Sequence, residues 1–311
     1  MSMMIGGKSK LEFNQLMDRK QKGVDSIEVY TDIKTFMVPT NSNDGLKLLN
    51  ELDMTAYAVH APMRNEENWH ISVGNLTSNE RARNLNIIKQ SIEMAHHVCK
   101  VDNPIVIIHA GGHYELELYS KFDLINRRTK EIDMLKKDLQ YLNNYIISKY
   151  PSVILGIENH CIFTYENGKV YGFNYGKDFD LPEVIRSLKL SNIKAVLDIC
   201  HAQSVCNYDK LDVTKKNRKI EDFIRAYSDT LCLIHLANVK DFGEIEEKHG
   251  TPFHETPNDI DRLKKVIKTL EETGYKGRIT LEILEKDHTN ALNLKTTINT
   301  IKNIGYEKYI Y

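Results

Sequence analysis

The sequence predicts an α/β protein, a single-domain (β/α)8 TIM barrel, and three observations carry that prediction. Eight short apolar runs alternate with longer, helix-like segments over 311 residues. The runs are short and most are rich in Val or Ile, as strands of a parallel sheet buried on both faces are. No Gly-x-Gly-x-x-Gly follows the first run, which argues against an open nucleotide-binding sheet. Right-handed crossovers joining eight strand–helix units would close the sheet into a barrel.

The elements follow in order. "MMIG" (3–6) is a short first strand and "SIEVY" (26–30) a second. "GGKS" (6–9) is not a phosphate loop, because that motif needs a glycine five residues before Gly7, where Ser2 stands. "AYAVH" (56–60) is the third strand, and a helix follows over 77–98, opened by a capping box of Thr77 and Glu80. "PIVIIH" (104–109) precedes an amphipathic helix over 130–150 that stops before Pro151. "SVILGIE" (152–158) leads into the longest irregular insert, 161–180, whose Phe163, Tyr165, Tyr171, Phe173 and Tyr175 would lie over the barrel mouth. "KAVLD" (194–198) and "LCLIH" (231–235) are strands six and seven. In the helix over 258–274, Leu263, Val266, Ile267 and Leu270 share one face and Gly274 supplies the stop. "RITLEIL" (278–284) is the last strand, and Gly305 ends a final helix. No linker interrupts the chain, so 1–311 reads as one domain.

Apolar and charged fractions of 41% and 27% are those of a soluble globular protein. With Lys+Arg 42 against Asp+Glu 43, no global field draws in nucleic acid or a membrane surface. Lys215, Lys216, Arg218 and Lys219 read as exposed helix charge. Five cysteines without a Cys-x-x-Cys point to reduced thiols and a cytoplasmic protein. No signal-peptide core and no membrane-length apolar run is present in the sequence.

The chemistry lies where the apolar runs end. "AVLDICHA" closes a greasy run with Asp198 and adds His201 three residues later. A buried carboxylate is costly unless it meets a donor or a cation. The same feature recurs at His60, His109, Glu158, His235 and Glu282, so six consecutive strands deliver a His, Asp or Glu. In a barrel all C-terminal strand ends open on one face, where these side chains would meet. Mixed carboxylate and imidazole donors suit Zn²⁺, Mn²⁺, Co²⁺ or Fe²⁺ rather than Ca²⁺. The expected metal ligands are Glu158, Asp198, His235 and Glu282, with His60, His109, His201, His249 and Glu247 as further ligands. His60, His109 and His201 are alternatively substrate contacts. His254 is one more candidate, and Asn159 and His160 are expected at the substrate. His96 and His97 fall in a helix pattern, while His70, His113 and His288 fall in loops. Nothing marks Cys161 or Cys200, though close by, as a nucleophile with its own base.

In order, "VHAP" (59–62), "VIIHAGGH" (106–113), "GIENH" (156–160), "LDICHA" (197–202), "IHLANVKD" (234–241) and "GYKGRITLEIL" (274–284) resemble the blocks of the xylose isomerase-like TIM-barrel superfamily. That group includes sugar isomerases and epimerases, inosose dehydratases and the endonuclease IV family. The resemblance implies a common metal centre at Glu158, Asp198, His235 and Glu282, and one to three ions of zinc or manganese. It also implies a carbohydrate substrate and a homo-oligomer. In the isomerase reading Glu158 and Glu282 are base and acid, and His201 holds a substrate oxygen. In the endonuclease IV-like reading the extra ions are held by His60, His109, His201, Glu247 and His249, and the partner is nucleic acid. Here Glu247-Lys248-His249 stands where that branch has Asp-Arg-His, and Glu66 and Glu67 would repel phosphates. The sequence therefore favours a metal-dependent sugar isomerase or epimerase, with a multi-zinc phosphoester hydrolase as the alternative.

Overall fold

The strands are β1 (Met4–Ser9), β2 (Ser26–Tyr30), β3 (Thr55–His60), β4 (Ser72–Val73), β5 (Ile105–Ala110), β6 (His113–Glu115), β7 (Ile154–Glu158), β8 (Phe163–Glu166), β9 (Lys169–Phe173), β10 (Ile193–Asp198), β11 (Leu231–Leu236) and β12 (Arg278–Leu281), and the eight apolar runs fall on β1, β2, β3, β5, β7, β10, β11 and β12. The structure, a computed structural model, describes residues 3–36, 41–66, 70–74, 76, 78–111, 113–115, 121–161, 163–166, 169–173, 180–211, 217–239 and 250–311. Eight of the strands pair in parallel in the order β3-β2-β1-β12-β11-β10-β7-β5, and β3 pairs with β5 to close the ring. Closure removes both sheet edges and excludes the open doubly wound sheet. The chain is a single-domain TIM barrel. Among the described residues no helix is long and apolar enough to cross a membrane.

Period-two alternation along each strand separates two apolar layers. Ile27, Val29, Val106, Ile108, Leu155, Ile157, Ala195, Leu197, Ile234, Leu236, Ile279 and Leu281 belong to the outer core packed against the helices. Among these helices are α1 (Phe13–Gln21), α4 (Ser78–Val98), α5 (Lys121–Lys149), α8 (Ile220–Tyr227), α9 (Pro257–Glu272) and α10 (Leu292–Asn303); α2 (Ile33–Phe36), α3 (Asn41–Glu51), α6 (Asp180–Leu188) and α7 (Ile199–Leu211) complete the set. A smaller cluster of Tyr57, Ala58, Ile105, Ile107, Val196 and Leu233 plugs the barrel interior. Each fully buried Leu, Ile or Val in these layers contributes about 1.5–3 kcal/mol.

That plug sets the height of the site. Tyr57 fits because position 6 is glycine: a Cβ there would stand 2.3 Å from the Ser26 carbonyl oxygen and 2.9 Å from the Tyr57 ring. Two steps on from Ala58, Ile107, Val196 and Leu233 stand His60, His109, Asp198 and His235.

The sequence-based boundaries need two amendments. The first strand continues past Gly6 to Ser9, which carries Lys8 into the barrel. The insert over 161–180 is not irregular throughout: β8 and β9 form an antiparallel hairpin, and β9 pairs with β6. The side chains of its aromatic residues lie outside the described residues. So does Thr77, the expected helix cap, while α4 begins at Ser78. Lys215 and Lys216 are also outside them.

The two glycine stops hold. Gly274 (φ 72°) and Gly305 (φ 85°) adopt the left-handed conformation just beyond α9 and α10.

Candidate metal centre

Register in a parallel barrel brings same-level residues of neighbouring strands side by side. Lys8 pairs with Glu28, His109 with Glu158, and Asp198 with His235. Glu282 follows β12 directly, held by its N–H to the Leu236 carbonyl at 3.2 Å. Glu158, Asp198, His235 and Glu282 each offer an atom within 4.8 Å of the others; so, as a second group, do His60, His109 and Glu158. A third group is Asp198, Cys200 and His201. All are buried except Glu282, whose side chain is 24% exposed.

Hydrogen-bond direction shows how these groups would treat a cation. His60 Nδ1 lies 2.7 Å from the Ala61 carbonyl, which only accepts, so that nitrogen carries the hydrogen. In the neutral ring Nε2 then presents a lone pair to Glu158 Oε2 at 3.4 Å. His109 Nε2 approaches the same oxygen at 3.5 Å. Burial, aided by His60 and His201 and opposed by Glu158, pushes His109 down to about 3, which keeps it neutral and able to coordinate. His201 Nδ1 is 3.0 Å from the Asn159 carbonyl and so is also the protonated nitrogen.

His235 is the hub. Its Nε2–H donates to Glu28 Oε2 at 2.8 Å, and its Nδ1 faces Glu158 Oε1 at 3.1 Å and Glu282 Oε2 at 2.7 Å. One hydrogen on Nδ1 cannot serve two carboxylates. Buried oxygens Glu158 Oε2, Glu282 Oε2 and Glu28 Oε1 have no hydrogen-bond partner among the described residues. Unsatisfied carboxylate oxygens facing imidazole lone pairs are the donor set a divalent cation requires, and these residues fit one.

The metal-free electrostatics express the same shortage. Burial opposes the charge on Glu158 and Glu282. His235 and His109 outweigh it at the first, Lys8 and His235 at the second, holding both carboxyls well below the usual range. Burial likewise works against the His235 imidazolium, but Glu28, Glu158 and Glu282 raise it well above the ordinary histidine value.

Two members of the site were not singled out in the sequence. Glu28, fully buried, accepts from His235 and, at 2.9 Å, from the Thr280 hydroxyl. Thr280 in turn takes the Tyr57 hydroxyl hydrogen at 2.6 Å, since its own is given to Glu28. Lys8 Nζ sits 2.5 Å from Glu282 Oε1 and 3.4 Å from Glu28 Oε1. Both strands carried a signal: a carboxylate in the middle of "SIEVY" and a lysine after paired glycines cannot be buried alone.

The other expected residues divide. Asn159 spends its carboxamide on Asp198, accepting its N–H at 2.6 Å and donating to its carbonyl at 3.1 Å. That clip fixes the strand end that presents Asp198. The His160 ring lies 4.6 Å from His109 and 5.6 Å from His201. His70 joins this group, 6.0 Å from His160. His288, read as a loop residue, lines the cavity at the mouth with Lys8, Tyr30, Thr31, His60 and Glu282. His96, His97 and His254 are exposed. Glu247 and His249 lie outside the described residues, as does the side chain of His113.

A family described as "Xylose isomerase-like TIM barrel" matches residues 19–306. A search of curated proteins finds no match. Among solved structures, 3-keto-D-glucoside 4-epimerase from E. coli superposes with a TM-score of 0.66 at 13% identity, covering 97% of this chain and 99% of its own. The IolI protein with a bound zinc atom gives 0.65 at 14% identity, with coverages of 98% and 99%. An AP endonuclease of family 2 from Brucella melitensis gives 0.60 at 13%, with 93% and 96%. At such identities the likeness is one of fold.

Proposed function

From a chain that belongs to the xylose isomerase-like TIM-barrel family, we propose a divalent-metal-dependent isomerase or epimerase of sugars or sugar phosphates, working through an enediolate. One observation carries the reading: the donor set of Glu158, Asp198, His235 and Glu282 opens beside a cavity of about 200 Å³. A space of that size suits a small polyol. The epimerase activity named for the E. coli protein of the same fold agrees with it.

A bound zinc or manganese ion would supply Lewis-acid stabilisation for negative charge on neighbouring carbonyl and hydroxyl oxygens. The chain's own groups do the rest. Glu158 and Glu282 stand on separate strands of the ring, so one takes the α-proton and the other returns one from a different side. Neighbouring positive groups outweigh burial and hold both ionised, so either can accept the α-proton. His201 is held in place by its Nδ1–H on the Asn159 carbonyl, beside the carboxylates. His160 stacks on His201 with ring planes 15° apart and narrows that wall.

A second reading has its own support. The group His60, His109 and Glu158 could seat a second ion, and two adjacent ions suit phosphoester hydrolysis. The test separates the two. Metal-loaded protein is incubated in D2O with a panel of ketoses and ketose phosphates, and solvent deuterium at the α-carbon is followed by NMR. Exchange with epimerised or isomerised product is expected. No exchange across the panel, with cleavage of an abasic-site oligonucleotide by the same preparation, would replace this reading with the hydrolase.

A further inference from the structure

Lys8 has no place in the chemistry above, and its position gives it one. Its side chain is 15% exposed and lines the cavity together with Tyr30, Thr31, His60, Glu282 and His288. An ammonium carries three N–H donors. One reaches Glu282 Oε1 at 2.5 Å and a second faces Glu28 Oε1 at 3.4 Å. The third remains for whatever enters the cavity.

Glu282 divides its two oxygens accordingly. Oε1 belongs to Lys8, while Oε2 faces His235 Nδ1 and has no hydrogen-bond partner among the described residues. A cation received at Oε2 therefore leaves the lysine in place. Glu282 would then have a positive charge on each side, with the cavity open to both.

We propose that Lys8 contacts the substrate and donates a hydrogen bond to the oxygen that gains negative charge when the α-proton leaves an α-hydroxy carbonyl compound. The inference rests on the enediolate reading. In the step, the C–H pair moves into the new C=C bond, the carbonyl π pair moves to oxygen, and the proton goes to a carboxylate. Lys8 keeps its proton throughout and stabilises the oxyanion by charge and hydrogen bond. Reprotonation at carbon reverses each movement, so no co-reactant is consumed.

The experiment uses glycolohydroxamate, a small planar anion resembling an enediolate, titrated calorimetrically into metal-loaded wild type, Lys8→Met and Lys8→Arg. A charge-assisted hydrogen bond predicts affinity about 10- to 100-fold weaker in Lys8→Met, partly restored in Lys8→Arg, with metal content unchanged. Equal affinity in wild type and Lys8→Met, no binding to wild type, or loss of the metal together with the ligand would overturn the proposal. Should Lys8→Met fail to fold, the ¹⁵Nζ resonance of Lys8 in labelled wild type decides: it shifts on adding the hydroxamate, and an unmoved resonance overturns the assignment. Hydroxamate binding that depends on Lys8 in a protein exchanging no substrate proton would sink the isomerase reading and leave Lys8 as an oxyanion contact.

Discussion

Replacing Glu28 with glutamine tests how His235, the proposed metal ligand, is held. The fully buried Glu28 receives the Nε2–H of His235 at 2.8 Å and the Thr280 hydroxyl at 2.9 Å on one oxygen, while its other oxygen faces Lys8 at 3.4 Å. Its negative charge aims Nδ1 of His235 at the centre and makes that nitrogen a better donor. Glutamine preserves the volume. If its carbonyl keeps His235, its NH2 must point at the Lys8 ammonium, and the ion pair is lost. Carboxylates behind a ligating histidine are worth about 10- to 100-fold in metal affinity, or about 1.4–2.8 kcal/mol. The assay is competition of wild-type and Glu28→Gln apoprotein with a chromophoric chelator for Zn²⁺, with circular dichroism confirming the fold. A variant that binds zinc within about twofold of wild type would refute the assignment of His235 as a carboxylate-oriented ligand.

Three further outcomes are expected. Glu282→Gln should lower turnover by about 100- to 10,000-fold with an unchanged melting temperature, because proton transfer is lost and packing is not; full activity in that variant removes Glu282 from the chemistry. Gly6→Ala should cost about 1–3 kcal/mol in urea unfolding, since the new methyl meets the Ser26 carbonyl and the Tyr57 ring; an unaltered midpoint would mean that the barrel plug is looser than described. Glu131, buried in α5 beside Arg127, is pushed up to about 7 by burial against an ordinary value of 4.5. Folding therefore favours its protonated form, so this contribution is complete below pH 4.5 and disappears as the pH climbs through 7. Glu131→Gln should accordingly be more stable than wild type at pH 8, by up to about 3 kcal/mol, with no such difference at pH 4. A gap that stays constant across pH contradicts the raised value.

Much of the barrel was legible because its strands are apolar on both faces, and a charged residue closing such a run is conspicuous. His60, Glu158 and Asp198 are the last residues of β3, β7 and β10, and His109 and His235 are each one residue from the end. Glu28 was missed because it sits in the middle of β2 rather than at its end, although the cost of burying a carboxylate is the same there. Lys8 was missed because "GGKS" was weighed only as a phosphate loop, and the strand was ended at Gly6. Register, which a single sequence does not display, is what sets Lys8 against Glu28. The insert over 161–180 reads as a loop because Gly168, Gly172 and Gly176 break its pattern, yet its backbone pairs with β6, a partner nearly sixty residues away. Such a non-local pairing leaves no local signal.

The central claim is that carboxylates and imidazoles from separate strands share a cation. Anomalous diffraction at the zinc and manganese edges, from crystals grown with each ion, tests it most directly. A peak is expected about 2.0–2.3 Å from donor atoms of Glu158, Asp198, His235 and Glu282, with a second beside His60 and His109 if the hydrolase reading holds. Ion-saturated crystals with no anomalous density among those four side chains would contradict it.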